Sequence, residues 1–319
     1  MLSIVIPIYN EEENIPTLYA RLISASPLWE EEFEVIFVDD GSFDSSFEML
    51  HALAQKDSRI KIIKLSRNFG HQPAISAGIQ KAKGDAVIIM DGDLQDPPEE
   101  LPRFLEKWRE GYHVVYAIRT KRKENIFKRF AYSSFYRFLG IISEIEIPLD
   151  SGDFCVMDKK VVKALNHDLP EKIRFVRGLR AYAGFKQVGV KYERAERAAG
   201  EVKYTFRKLM KLALDGLFDF STFPLRLASY LGIFIAFMSL VVGVFFVFQR
   251  IFDFKILGYS PADVPGLASL AIGIFFIGGV TLLVLGIIGE YLGRIYFEVK
   301  KRPNHIIEEF YDYSGEERK

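Results

Sequence analysis

Two aspartates separated by one glycine, Asp91-Gly92-Asp93, end the apolar run Val87-Ile88-Ile89-Met90. A buried strand that finishes in paired carboxylates offers hard oxygen donors, the type preferred by Mg2+ or Mn2+. Such an ion can neutralise a nucleotide diphosphate as it becomes a leaving group. Acidic turns and helix caps produce the same spacing, so the neighbouring strand ends matter. They are polar as well. Asn10 and Glu11 follow residues 3–8, Asp39 and Asp40 follow residues 34–38, and Arg67 follows residues 60–64. Four strand ends carrying polar or ionisable groups point to a nucleotide pocket.

The elements that position these groups show in the hydrophobic pattern. Short β-branched runs at residues 3–8, 34–38, 60–64, 86–90 and 114–117 read as strands. Between them, residues 15–24, 47–55, 73–81 and 98–110 carry helical periodicity. This alternation predicts an α/β domain with a largely parallel sheet, whose ligands bind beyond the carboxyl ends of the strands.

Composition limits the rest. Lys and Arg total 42 and Asp and Glu total 42, so bulk charge gives no reason to expect nucleic acid as a partner. The single cysteine, Cys155, excludes an intrachain disulfide framework and a cysteine metal site. The first seven residues lack the basic region and long apolar core of a signal peptide and read as a strand. Residues 227–248 and 266–288 carry no charge, and each is long enough to cross the roughly 30 Å hydrocarbon core of a bilayer. Lys203, Arg207, Lys208, Lys211 and Arg226 precede the first run, and Arg294, Lys300, Lys301 and Arg302 follow the second. The loop between has only Arg250 and Lys255, which predicts a multi-pass protein of the inner membrane with both flanks cytoplasmic.

Ahead of the first run, Phe206, Leu209, Met210, Ala213, Leu214, Leu217 and Phe218 trace an amphipathic helix. Packing against protein and lying among lipid headgroups both suit it. The expected organisation is a catalytic domain over residues 1–200, a juxtamembrane helix region over 201–226, a two-span domain over 227–290 and a cytoplasmic tail over 291–319, charged and poorly ordered from Pro303 to Lys319. The paired spans make a homo-oligomer plausible.

Further motifs make the pattern specific: Ser3-Ile4-Val5-Ile6-Pro7-Ile8-Tyr9-Asn10-Glu11, Val38-Asp39-Asp40-Gly41-Ser42, Ser66-Arg67-Asn68-Phe69-Gly70-His71-Gln72, Asp91 through Glu99, and Asp150-Ser151-Gly152-Asp153-Phe154. With them the chain resembles family 2 glycosyltransferases of GT-A (Rossmann-like) fold. Within that group it is similar to the polyprenyl-phosphate glycosyltransferases, which include dolichol-phosphate mannosyltransferases and bacterial undecaprenyl-phosphate glucosyltransferases. The resemblance covers nearly the whole chain.

It implies that Pro7, Tyr9, Glu11, Asp39, Asp91 and Gly92 bind the nucleotide-sugar, and that Asp91, Asp93 and Gln95 approach a divalent metal, Mg2+ or Mn2+. Gly92 stands where similar proteins often have alanine, which should leave more room beside the diphosphate. Arg119, Arg129, Ser133 and Arg177 stand where similar enzymes hold the acceptor phosphate, although a basic loop attracted to anionic lipid also accounts for Arg119 and its neighbours. Asp93, Asp153, Arg119 and Arg129 form the implied catalytic set. Asp153 either orients a substrate or serves as a base, and the alternative for it is a turn or strand cap. His71 reads as a loop hydrogen-bonding residue rather than a metal ligand or an acid/base group.

The implied reaction is inverting, metal-dependent transfer of a hexose from a nucleotide-sugar to a polyprenyl phosphate at the bilayer, with UDP-glucose and undecaprenyl phosphate the leading pair. GDP-mannose-dependent transfer and a non-catalytic nucleotide-sugar-binding module are the alternatives. A processive synthase is disfavoured by having only two spans, and a dehydrogenase by the absence of a glycine-rich turn after the first strand.

Overall fold

The computed structural model describes residues 1–119, 151–169, 171–172, 174–193, 222–252 and 266–315. They fall into two units, Met1–Gly216 with Lys301–Lys319, and Leu217–Lys300.

The first unit is built on one sheet. β1 (Leu2–Ile8), β2 (Phe33–Asp39), β3 (Ile60–Leu65) and β4 (Ala86–Ile89) are buried almost throughout, as continuous apolar strands covered on both faces must be. They pair in parallel, β1 lying between β2 and β4 with β3 outside β2. The crossovers are α1 (Ile15–Ala25), α2 (Ser46–Lys56) and α3 (His71–Lys81). α1 buries Ile15, Leu18, Leu22 and Ala25, the stripe that helical periodicity directs at the sheet. α3 starts two residues earlier than the sequence pattern suggested and brings His71 into its first turn.

Beyond β4 the sheet departs from the expected parallel arrangement. After α4 (Leu101–Arg109) come β5 (Val114–Arg119), β6 (Ser151–Asp158), α5 (Lys159–Lys163), α6 (Val176–Tyr182) and β7 (Gln187–Tyr192). β6 runs antiparallel between β4 and β5, while β7 lies parallel outside β5. Phe104 of α4 meets Phe154 of β6 with ring centroids 4.8 Å apart, both fully buried. Truncating Phe104 to alanine would cost about 3–5 kcal/mol through lost burial and the cavity left.

The expected poorly ordered tail needs correction. Ile307–Asp312 forms β8, which pairs antiparallel with β3 and completes the order β7-β5-β6-β4-β1-β2-β3-β8. Buried Lys61 reaches Glu34 at 2.7 Å and Asp312 at 3.0 Å, and Tyr311 stands edge-on to His51 with centroids 4.9 Å apart. The charges that make this segment look like a tail are partly spent on these contacts.

The second unit holds α7 (Phe223–Phe252) and α8 (Gly266–Val299), both long and apolar enough to cross a membrane. Their most apolar windows are only 6% and 0% buried, unlike the core helix of a soluble protein. α8 continues past the uncharged run through Glu290 and Arg294, paired at 3.0 Å, because charge ends an apolar run without ending a helix. The expected amphipathic helix over 206–218, Arg129, Ser133 and Asp150 lie outside the described residues.

Candidate active site

Parallel pairing of β1 to β4 brings their carboxyl ends to one edge of the sheet. Register aligns Ile8 of β1 with Asp39 of β2, so Tyr9 emerges beside Asp39. The antiparallel register sets Ile89 against Cys155, and two further residues along it Asp91 and Asp153 reach the same rim. Ile118 pairs with Ser151, which puts the backbone of Arg119 at that edge too. The sheet therefore gathers residues separated by more than a hundred positions in the chain.

The rim loops are locked to one another by backbone donors. Asn10 adopts a left-handed φ of 54°; its N–H donates to Ser42 Oγ at 3.0 Å, and its Oδ1 accepts from the Phe43 N–H at 3.0 Å. The Glu11 N–H donates to Ser46 Oγ at 2.9 Å, while the Glu11 carboxylate accepts from Asn14 Nδ2 at 2.5 Å. Asp40 accepts from the N–H groups of Phe69 and Gly70 at 2.7 and 2.9 Å, tying the third loop to β2. Gly41 has φ of 67°, and a Cβ there would come 2.6 Å from the Arg67 carbonyl carbon, so both conformation and close approach require glycine. Tyr9 packs edge-on to the exposed Phe43, centroids 5.9 Å apart.

Asp39 is fully buried. Its Oδ1 accepts from the Ser42 N–H at 3.2 Å, but Oδ2 meets no donor among the described residues. Burial pushes its pKa up in spite of the Ser42 contacts. A buried acceptor oxygen in this state has the capacity to take an N–H or hydroxyl donor.

Across the rim, His71 Nε2 stands 3.5 Å from Asp91 Oδ1 and 3.6 Å from Asp153 Oδ2. Burial lowers the imidazole pKa, but the two carboxylates outweigh it and raise the value to about 9. The neighbouring carboxylates thus favour the protonated imidazole, and His71 is the hydrogen-bonding residue expected, with partners just beyond β4 and on β6 rather than in its own loop. Arg177 Nη2 approaches Asp153 Oδ1 at 3.3 Å, and Gln72 Nε2 donates to Asp153 Oδ2 at 3.5 Å. Gln72 Oε1 also accepts from the Val176 N–H at 2.9 Å, pinning the start of α6 to α3. For Asp153, burial alone would raise the pKa; Arg177 and His71 reverse this and hold the carboxyl far below the usual range. A carboxylate engaged this way is a poor proton acceptor and a good anchor for cations. Helix periodicity around 71–81 held the clue to His71, but its carboxylate partners come from β4 and β6.

Comparison with known proteins supplies the family. The model of glycosyl transferase family 2 matches residues 3–165, just over half of the chain. The chain belongs to glycosyl transferase family 2. It is 47% identical to the uncharacterized glycosyltransferase YkcC of Bacillus subtilis over 97% of this chain and 94% of that one. It is 42% identical to the SfII prophage-derived bactoprenol glucosyl transferase of Shigella flexneri, covering 96% and 97%. A prophage bactoprenol glucosyl transferase homolog of Escherichia coli K12 is 39% identical over 96% and 98%.

As a family 2 glycosyltransferase of GT-A-like fold, the protein carries Asp91 and Asp93 at the carboxyl end of a central strand. The Gln95 N–H donates to Asp93 Oδ1 at 3.1 Å and orients that carboxylate. Among the described residues no three His, Cys, Asp or Glu side chains converge as a metal cluster. The Asp91 and Asp93 carboxylates are oxygen donors of the type a hard divalent cation prefers, and would hold one together with ligands from outside the protein. Pro7 is buried within β1. At Gly92 a Cβ would come 2.6 Å from Ile8 Cδ1 and 3.3 Å from the Pro7 carbonyl oxygen. The missing side chain accommodates the packing of Ile8 in the core.

Proposed function

We propose that this enzyme transfers glucose from UDP-glucose to a polyprenyl phosphate, undecaprenyl phosphate in the leading case, at the cytoplasmic face of the bacterial inner membrane. The observation that carries this reading is similarity along almost the entire chain to relatives named bactoprenol glucosyl transferase.

The rim chemistry is consistent with the division of labour. Asp39 Oδ2 accepts a donor of the nucleoside, reached as the side chains covering it yield, and Tyr9 offers an aromatic face beside it. Asp91, Asp93 and Gln95 would hold a divalent ion, which neutralises the diphosphate leaving group when bound. The acceptor phosphate is largely ionised at neutral pH and needs no strong base, so one of its oxygens displaces nucleoside diphosphate directly from the anomeric carbon with inversion. Arg177 stabilises the phosphate charge, joined by Arg119, Arg129 and Ser133. Asp153 holds Arg177 and His71 in place; its lowered pKa argues against a role as base.

Two candidate spans return the chain to the side of the membrane from which it entered. The excess of Lys and Arg on the flanks assigns that side to the cytoplasm. Paired spans also suit a homo-oligomer.

The test is incubation of detergent-purified protein with undecaprenyl phosphate, Mg2+ or Mn2+ and a panel of UDP- and GDP-sugars, with lipid products identified by mass spectrometry. Glucosyl phosphate lipid formed from UDP-glucose by the parent, and lost in Asp93→Ala, is the expected result. A mannosyl lipid from GDP-mannose would reassign the donor, and nucleotide binding without any lipid product would leave a binding module.

A further inference from the structure

Behind the rim lies a cation that the transfer chemistry does not use. Arg180 sits on α6 one turn after Arg177 and is only 1% exposed. Its Nη2 donates to the Gly152 carbonyl at 3.1 Å, and its guanidinium carbon lies 5.5 Å from the centre of the Tyr116 ring. Its buried Nε meets no acceptor among the described residues. A guanidinium in these surroundings is costly unless a nearby anion offsets its charge.

Asp153 follows Gly152 directly, so the Arg180 hydrogen bond holds the backbone that carries this carboxylate, and the Arg180 charge also favours its ionised form. The Cys155 thiol also feels Arg180, yet burial pushes its pKa up and keeps it neutral, so it balances nothing. Asp153 therefore answers three cations. Arg177, 22% exposed, and His71, 42% exposed, stand on the open side, whereas Arg180 is enclosed.

We propose that Arg180 is a positioning residue: by gripping the Gly152 carbonyl from the interior, it fixes the backbone from which the Asp153 carboxylate presents Arg177 to the acceptor phosphate. Arg180 touches no substrate and acts through Asp153. Its part in turnover rests on the transfer reaction proposed above; its pairing with Asp153 does not.

Two measurements separate those levels, both on the full chain in detergent. Thermal unfolding of the parent, Arg180→Met, Asp153→Asn and the double variant tests the pairing. Coupling predicts that the double variant melts close to the less stable single variant, whereas fully additive losses overturn the proposal. Steady-state kinetics then tests positioning. Arg180→Met should lower kcat/KM for undecaprenyl phosphate about tenfold or more while UDP affinity changes by less than about twofold, and Arg180→Lys should recover part of the loss. The Arg180→Met loss should also vanish in the Asp153→Asn background. A folded Arg180→Met protein with parental kinetics overturns the proposal, as does a loss that multiplies with that of Asp153→Asn. Where the Met variant does not fold, Arg180→Lys, which keeps the charge without the planar fork, carries the same two comparisons. If the parent makes no lipid-linked sugar from any donor, the proposed function fails and the unfolding cycle alone decides the pairing.

Discussion

Asp39 shows how one buried oxygen separates stability from function. Burial raises its pKa, so the charged form is disfavoured in the fold and the folded protein pays for that charge at neutral pH. Asp39→Asn removes the charge and replaces an acceptor with a donor. The expected outcome is unchanged or higher melting temperature together with a loss of UDP affinity of about tenfold, roughly 1.4 kcal/mol, measured by calorimetry. Gly92 makes a packing prediction instead. A methyl group at this position collides with the flexible end of Ile8, so Gly92→Ala should cost about 1–3 kcal/mol by overpacking. Ile8→Val shortens the colliding side chain, and adding it to Gly92→Ala should restore part of the loss in urea unfolding. A further loss equal to that of Ile8→Val alone would show that the collision is relieved elsewhere.

At the scale of elements, β8 is the part of the catalytic unit most exposed to perturbation, since it is an edge strand held by side chains as well as by β3. Lys61 is nearly buried between Glu34 and Asp312, and breaking such a network by Lys61→Met should cost about 3–5 kcal/mol by leaving the buried Glu34 carboxylate without its cation. Faster hydrogen exchange confined first to residues 307–312 is the expected signature. Acid should act on the same contact. Burial raises the Asp312 pKa, but Ser314 and Lys61 outweigh it and bring the value down to about 2, below the ordinary 3.8. A carboxyl with a lowered folded pKa stabilises the protein above its unfolded pKa and loses that contribution as pH falls through the folded one. Protection of β8 should therefore decline between about pH 4 and 2, and Asp312→Asn should flatten that decline in exchange measurements.

For the whole molecule, the decisive feature is the route of the chain, from sheet to paired apolar helices and back to the sheet. The exposed apolar surfaces of α7 and α8 call for lipid, so the protein should remain in the membrane pellet after alkaline carbonate washing and be released by detergent. Release by carbonate would mean that the helices are covered by protein. The return of the chain also constrains truncation. Removing everything after residue 216 deletes β8 along with the spans and uncovers β3, and such a fragment should aggregate more readily than one in which residues 301–319 are rejoined by a flexible linker. Light scattering of the two soluble chains compares them directly.

The four buried parallel strands, their crossover helices and the two long apolar helices were legible in the sequence because each is a local pattern: continuous β-branched runs, helical spacing, and uncharged stretches of membrane length. Asp91, Asp93 and Asp39 stood out for the same reason, as polar residues directly after apolar strands. Family membership was legible too, through motifs that persist in order along the chain. Tertiary structure decided what depends on register and long-range pairing. Antiparallel insertion of β6 placed Asp153 opposite Asp91, and only that pairing gave His71 its two carboxylate partners. Ile8 filled the space at Gly92, and β8 closed the sheet with residues whose charges, read locally, resemble a tail. Local sequence encodes which segments become helix or strand; the partners of a buried charge come from segments far along the chain, and only the folded sheet brings them together.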